Sequence, residues 1–183
     1  MKFIGGAAFM LVIGSRVPVS ACTPPGSTSE QAINSEAVAS VEAGIEESAA
    51  LFALGKYEEA VVTLSQTLSV SEGRLGEGPY TALVLTNLGL NQASSGRIVE
   101  AEESYLHALA INDHLRSSSI NRDVKSELTL LNNLGLLYLN TARPEQAQRY
   151  ILSARALIQS TGMSDDPQTN MTEDLVRRLE RAG

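Results

Sequence analysis

Gly55-Lys56-Tyr57-Glu58-Glu59-Ala60, Gly96-Arg97-Ile98-Val99-Glu100-Ala101 and Ala142-Arg143-Pro144-Glu145-Gln146-Ala147 decide the fold of this chain. The second stretch follows the first by 41 residues, and the third follows the second by 46. Each marks a turn entering a helix and closes on an alanine. Upstream of the last two alanines stand Leu88-Gly89 and Leu134-Gly135, and downstream Tyr105 with Ala108 matches Ile151 with Ala154. Small residues therefore fall where two helices must approach. Leu83, Val84, Leu85, Leu88 and Leu90 cluster with helical spacing, as do Leu106, Leu109, Ile111 and Leu115 in the following segment, and neither helix can bury its stripe alone. Connections such as Ala93-Ser94-Ser95-Gly96 are short, which forces antiparallel neighbours, and Pro144 suits the first turn of a helix because its missing N–H would be unpaired there anyway.

These anchors resemble the tetratricopeptide repeat, a helical hairpin of about 34 residues. The resemblance covers about Val41 to Thr161. It implies an all-α, right-handed solenoid of three hairpins at about 41–74, 82–115 and 128–161, making up a domain over 37–183. In the first hairpin Glu47-Ser48 replaces Leu-Gly, as terminal repeats that face solvent often do. Long links placed at Leu75–Ala82 and Thr129–Gly135 look like the kinesin light chain variant of the repeat. Met171, Leu175 and Leu179 recur every four residues with Arg177, Arg178 and Arg181 outward, so 168–182 reads as a capping helix.

The chain has 183 residues, a net charge of −7 and a mean hydropathy of −0.02. That length fits one domain with a tail, and its apolar content excludes wholesale disorder. The acidic balance, with no basic run among aromatics, argues against nucleic acid. Residues 22–79 hold nine acids against Lys56 and Arg74, an acidic face that is either solvated surface or a dock for basic partners.

Lys2 precedes Phe3–Gly14, an uncharged and mostly apolar run of signal-core length, too short to span a bilayer. The first 22 residues end in Val19-Ser20-Ala21-Cys22, which resembles the lipobox of bacterial lipoproteins. That resemblance implies a signal peptide at 1–21, cleavage before Cys22 and acyl chains such as palmitate on its thiol. Thr23, in place of aspartate, favours the outer membrane over the inner. Cleavage removes Lys2 and Arg16 and no acid, so the lipid itself must hold the mature chain to the membrane. Residues 22–36 are expected to form a lipidated flexible linker, beginning with Thr23-Pro24-Pro25-Gly26.

Chemistry for an enzyme is missing. His107 and His114 lie seven residues apart, about 10.5 Å along a helix, too far for one metal. Gly55-Lys56 is followed by Tyr57 where a phosphate loop needs Ser or Thr, and Gly73, Gly76 and Gly78 lack the offsets of a dinucleotide site. One cysteine excludes an internal disulfide and any multi-cysteine zinc site. No cofactor is expected.

In tetratricopeptide stacks the first helices of successive hairpins line a groove that binds protein or extended peptide. The resemblance places Thr86, Asn87, Leu90 and Asn91 of the second hairpin there, with Asn132, Asn133, Leu136 and Asn140 of the third. Amide side chains can pair with a peptide backbone while reading little of its sequence; alternatively they satisfy loops or water. No charge occurs from Ala82 to Ser95, which disfavours the clamp that chaperone-binding members use for acidic C-termini. The layout is similar to tetratricopeptide lipoproteins that serve pilus or secretion machines. A regulatory module presenting substrates to a periplasmic peptidase or cell-wall enzyme is the other reading.

Overall fold

The computed structural model describes residues 28–117, 123–163 and 166–182, and every regular element among them is a helix. In chain order these are α1 (Thr28–Ala53), α2 (Tyr57–Leu75), α3 (Pro79–Ser94), α4 (Ile98–Ser117), α5 (Val124–Asn140), α6 (Pro144–Thr161) and α7 (Pro167–Ala182). α1 packs on α2, α3 on α4 and α5 on α6; α2 then rests on α3, α4 on α5, and α7 lies against both α5 and α6. The result is an all-α solenoid of three hairpins closed by a last helix.

All three hairpins turn the same way. The amides of Lys56, Arg97 and Arg143 donate to the carbonyls of Leu51, Gln92 and Tyr138 at 2.9, 2.8 and 2.9 Å, the six-to-one bond that ends a helix on a left-handed residue. That residue is Gly55 (φ 72°), Gly96 (φ 87°) and, in the third hairpin, Ala142 (φ 57°). A Cβ in this region crowds the following carbonyl at a cost of roughly 1–2 kcal/mol. Ala142→Gly is therefore expected to raise the melting temperature by about 2–4 °C, a gain of about 1 kcal/mol in a chain of this size, measurable by calorimetry.

The helices begin where the chemistry directs. Pro79 and Pro144 occupy first-turn positions of α3 and α6, and the Asp123 carboxylate caps α5 by accepting from the amides of Lys125 and Ser126 at 3.1 and 3.2 Å. Gly162, left-handed at φ 70°, closes α6.

Two expectations change. The linker assigned to 22–36 is helical from Thr28, because Ala37, Val41 and Ile45 form one buried stripe that carries α1 toward the N-terminus. Residues 129–135, read as a long link, lie inside α5, which Asp123 caps, and of the link placed at 75–82 only 76–78 fall between helices because α3 begins at Pro79. The leader, Cys22 and the rest of 1–27 lie outside the described residues.

Ala60, Ala101 and Ala147 are fully buried where paired helices cross, as are Ala108 and Ala154. Gly89 faces the Tyr105 ring and Gly135 faces Ile151, so the absent side chains are what let α3 meet α4 and α5 meet α6. The apolar interior falls into two clusters. The smaller joins Val41, Ile45, Val61 and Leu64 to Leu83, Val84 and Leu88, while the larger runs from α3 through α7.

Candidate functional site

Seven of the eight residues placed on the groove are buried. Thr86 is 2% exposed, and Asn87, Leu90, Asn91, Asn132, Asn133 and Leu136 are each 0% exposed; Asn140 alone is open. α3 is surrounded by α1, α2, α4 and α5, and α5 by α3, α4, α6 and α7, so these side chains do not stand on an open wall as expected. Their partners sort them. The Thr86 hydroxyl donates to the Ala82 carbonyl at 2.8 Å, a bond internal to α3. Asn91 Nδ2 donates to the Asn87 carbonyl at 2.9 Å, and Asn87 itself has a partner.

Asn132 has a structural task. Its Nδ2 donates to the Gln168 carbonyl at 3.0 Å and to Gln168 Oε1 at 3.2 Å, and its Oδ1 accepts from the Thr172 hydroxyl at 2.8 Å. All three residues are buried, so this amide fixes α7 on α5 and is not available to a ligand. Asn140 Oδ1 likewise accepts from Arg178 at 2.9 Å. Asp166 adds a further tie: it accepts from the Gln168 amide at 2.9 Å and pairs with Lys125 at 3.0 Å, which hold its carboxyl below the usual range.

What remains is Asn133, with neither Nδ2 nor Oδ1 bonded, and the Oδ1 of Asn91. Both are buried and lie on the first helices of successive hairpins. A buried amide without a partner gives up its hydration without recovering a bond, so these atoms weaken the fold as it stands and are closed to a ligand while the neighbouring helices cover them.

A second constellation escaped sequence reading. Glu102 of α4 accepts from the Tyr138 hydroxyl at 2.8 Å and from Arg143 Nη2 at 2.9 Å, with Arg143 Nη1 on its other oxygen. The Arg143 guanidinium lies 4.5 Å over the Tyr138 ring, Tyr138 stacks on Tyr150 at 5.5 Å, and Arg149 lies 4.8 Å over Tyr150. Arg143 holds the Glu102 carboxyl below its ordinary range, outweighing partial burial, while burial pushes the Tyr138 hydroxyl far up. No local pattern announces this, since Glu102 and Arg143 are 41 residues apart.

His107 stands 3.5 Å from Glu77, and no group of three metal-ligating side chains occurs among the described residues. No helix among them is long and apolar enough to cross a membrane. No curated protein matches the sequence. Residues 47–113, from the middle of α1 to near the end of α4, match the tetratricopeptide repeat family. With three hairpins ended by one kind of turn and the small-residue contacts repeated between α3–α4 and α5–α6, the chain carries tetratricopeptide repeats, the scaffold of protein–protein interaction modules.

Proposed function

We propose that this chain is a lipid-anchored adaptor or assembly factor of the bacterial envelope, held on the periplasmic face of the outer membrane through Cys22, in the manner of a pilus or secretion accessory protein. The unpartnered amide of Asn133 carries the binding part of this reading. With the Oδ1 of Asn91 it supplies donor and acceptor atoms of the kind that fit the backbone of an extended peptide, and because both residues are closed to solvent such a peptide reaches them by parting α3 and α5 from the helices that cover them. Asn87, also placed on the groove, already has a partner, so the contact from the second hairpin falls to Asn91. The lipobox resemblance of Val19–Cys22 supports the anchor.

The test separates anchor from binding. Cys22→Ser is expected to move the protein from the membrane pellet to the soluble fraction with its helical circular dichroism intact. Asn133→Ala is expected to stay in the membrane and to weaken capture of the co-purifying partner by about tenfold, the equivalent of about 1.4 kcal/mol for one buried hydrogen bond. Retention of the serine variant in the pellet sinks the anchor, and undiminished capture by the alanine variant sinks the amide contact.

A further inference from the structure

The seam between the second and third hairpins is uneven. α2 packs along α3 far more extensively than α4 packs along α5, and α4 and α6 do not touch. At one end, the first half of α4 is pinned by Glu102, Arg143 and Tyr138. Toward the end of α4 the helices part, and a cleft of about 720 Å³ opens with Leu109, Leu131 and Leu157 among its walls. That volume is within the range of ligand sites, about 300–1,000 Å³.

The charges around it are not equally engaged. Asp113 and Arg116 pair with each other on α4, and Glu127, buried in the first turn of α5, has a partner. Arg149 is different. It lies against the Tyr150 ring and donates to its hydroxyl at 2.6 Å, and no carboxylate among the described residues pairs with it. A guanidinium stacked on an aromatic face keeps its remaining N–H groups directed along its edge, the arrangement that takes a carboxylate through two hydrogen bonds. Beside it the leucines offer a surface for an apolar group.

We propose that this cleft is a second docking site, occupied by a partner peptide in which an apolar side chain is followed by Asp or Glu. The apolar side chain enters between Leu131 and Leu157, and the carboxylate meets Arg149. A peptide suits the shape because the cleft is partly open to solvent, whereas a fatty acid needs its tail enclosed. The inference rests on the chain being an interaction module, but it uses the α4 and α6 side of the seam and none of the asparagines.

The test is fluorescence anisotropy of the full chain in detergent with a labelled Gly-Ser-Leu-Glu-Ser-Gly peptide and its Leu-Gln counterpart. The acidic peptide is expected to bind about tenfold more tightly than the amide one. Arg149→Gln removes that difference. Ala156→Trp, at an exposed wall position, fills the cleft and abolishes binding of both, with thermal melts confirming that the variants fold. Lys56→Gln, exposed on the first hairpin, leaves both affinities unchanged, and capture of the membrane partner is read separately, so the cleft and the amide face fail separately. Equal binding of the two peptides, binding insensitive to Arg149→Gln, no binding of either, or binding of labelled laurate in their place would each overturn the proposal.

Discussion

Gly89→Ala is expected to lower the melting temperature by about 2–12 °C, the overpacking cost of about 1–3 kcal/mol in a chain of this length. The added Cβ would stand 2.7 Å from both Cδ1 and Cε1 of Tyr105. That ring is fully buried and cannot swing aside, so α3 and α4 must separate along the helix that carries most of the second hairpin's contacts. Tyr105→Phe should act in the opposite direction. The Tyr105 hydroxyl is buried without a hydrogen-bond partner, and burial raises its pKa well above the ordinary value, so it stays a protonated, unbonded O–H. Removing it is expected to stabilise the fold by about 1 kcal/mol. Calorimetry of both variants checks the pair; a parent-like melt for Gly89→Ala would mean that the two helices do not approach as described.

Arg143→Ala is expected to lower the melting temperature, because it removes a two-pronged, charge-assisted contact to Glu102 and the cation resting on Tyr138. Both partners are partly exposed, which keeps the loss below that of a fully buried pair. The acid limb of the stability curve follows from the same contact. Glu102 titrates lower in the folded protein than in the unfolded chain, so its contribution is complete above the unfolded carboxyl pKa of about 4.3 and is lost as pH falls through the folded value. Urea melts between pH 7 and 3 should show the parent losing more stability below about pH 4 than Glu102→Gln does. Parallel curves would remove Glu102 from the account.

The repeat was legible because its signals are local. Alanines at a fixed offset from a turn, and Leu-Gly thirteen and twelve residues before them, encode close approach between helices adjacent in sequence, and Ala101, Ala147, Gly89 and Gly135 do that in the structure. The candidate site was less legible, for a physical reason. Which face of α5 remains open depends on where α7 comes to rest, and Asn132 meets Gln168 and Thr172 across gaps of 36 and 40 residues that periodicity does not span. The early start of α1 did have a signal, the four-residue spacing of Ala37, Val41 and Ile45, outweighed by the Pro, Gly and Ser content of the sequence before it.

The division of the interior into two clusters has a mechanical consequence. A pull applied at the N-terminal side of α1 reaches the smaller cluster first, where Val41 and Ile45 meet Val61, Leu64 and Leu83. Fewer apolar groups resist separation there than in the cluster that binds α3 to α7 together. Under tension the first hairpin would yield while the second and third kept their shape, so with the anchor proposed at Cys22 it would act as an extensible fuse between that anchor and the later hairpins.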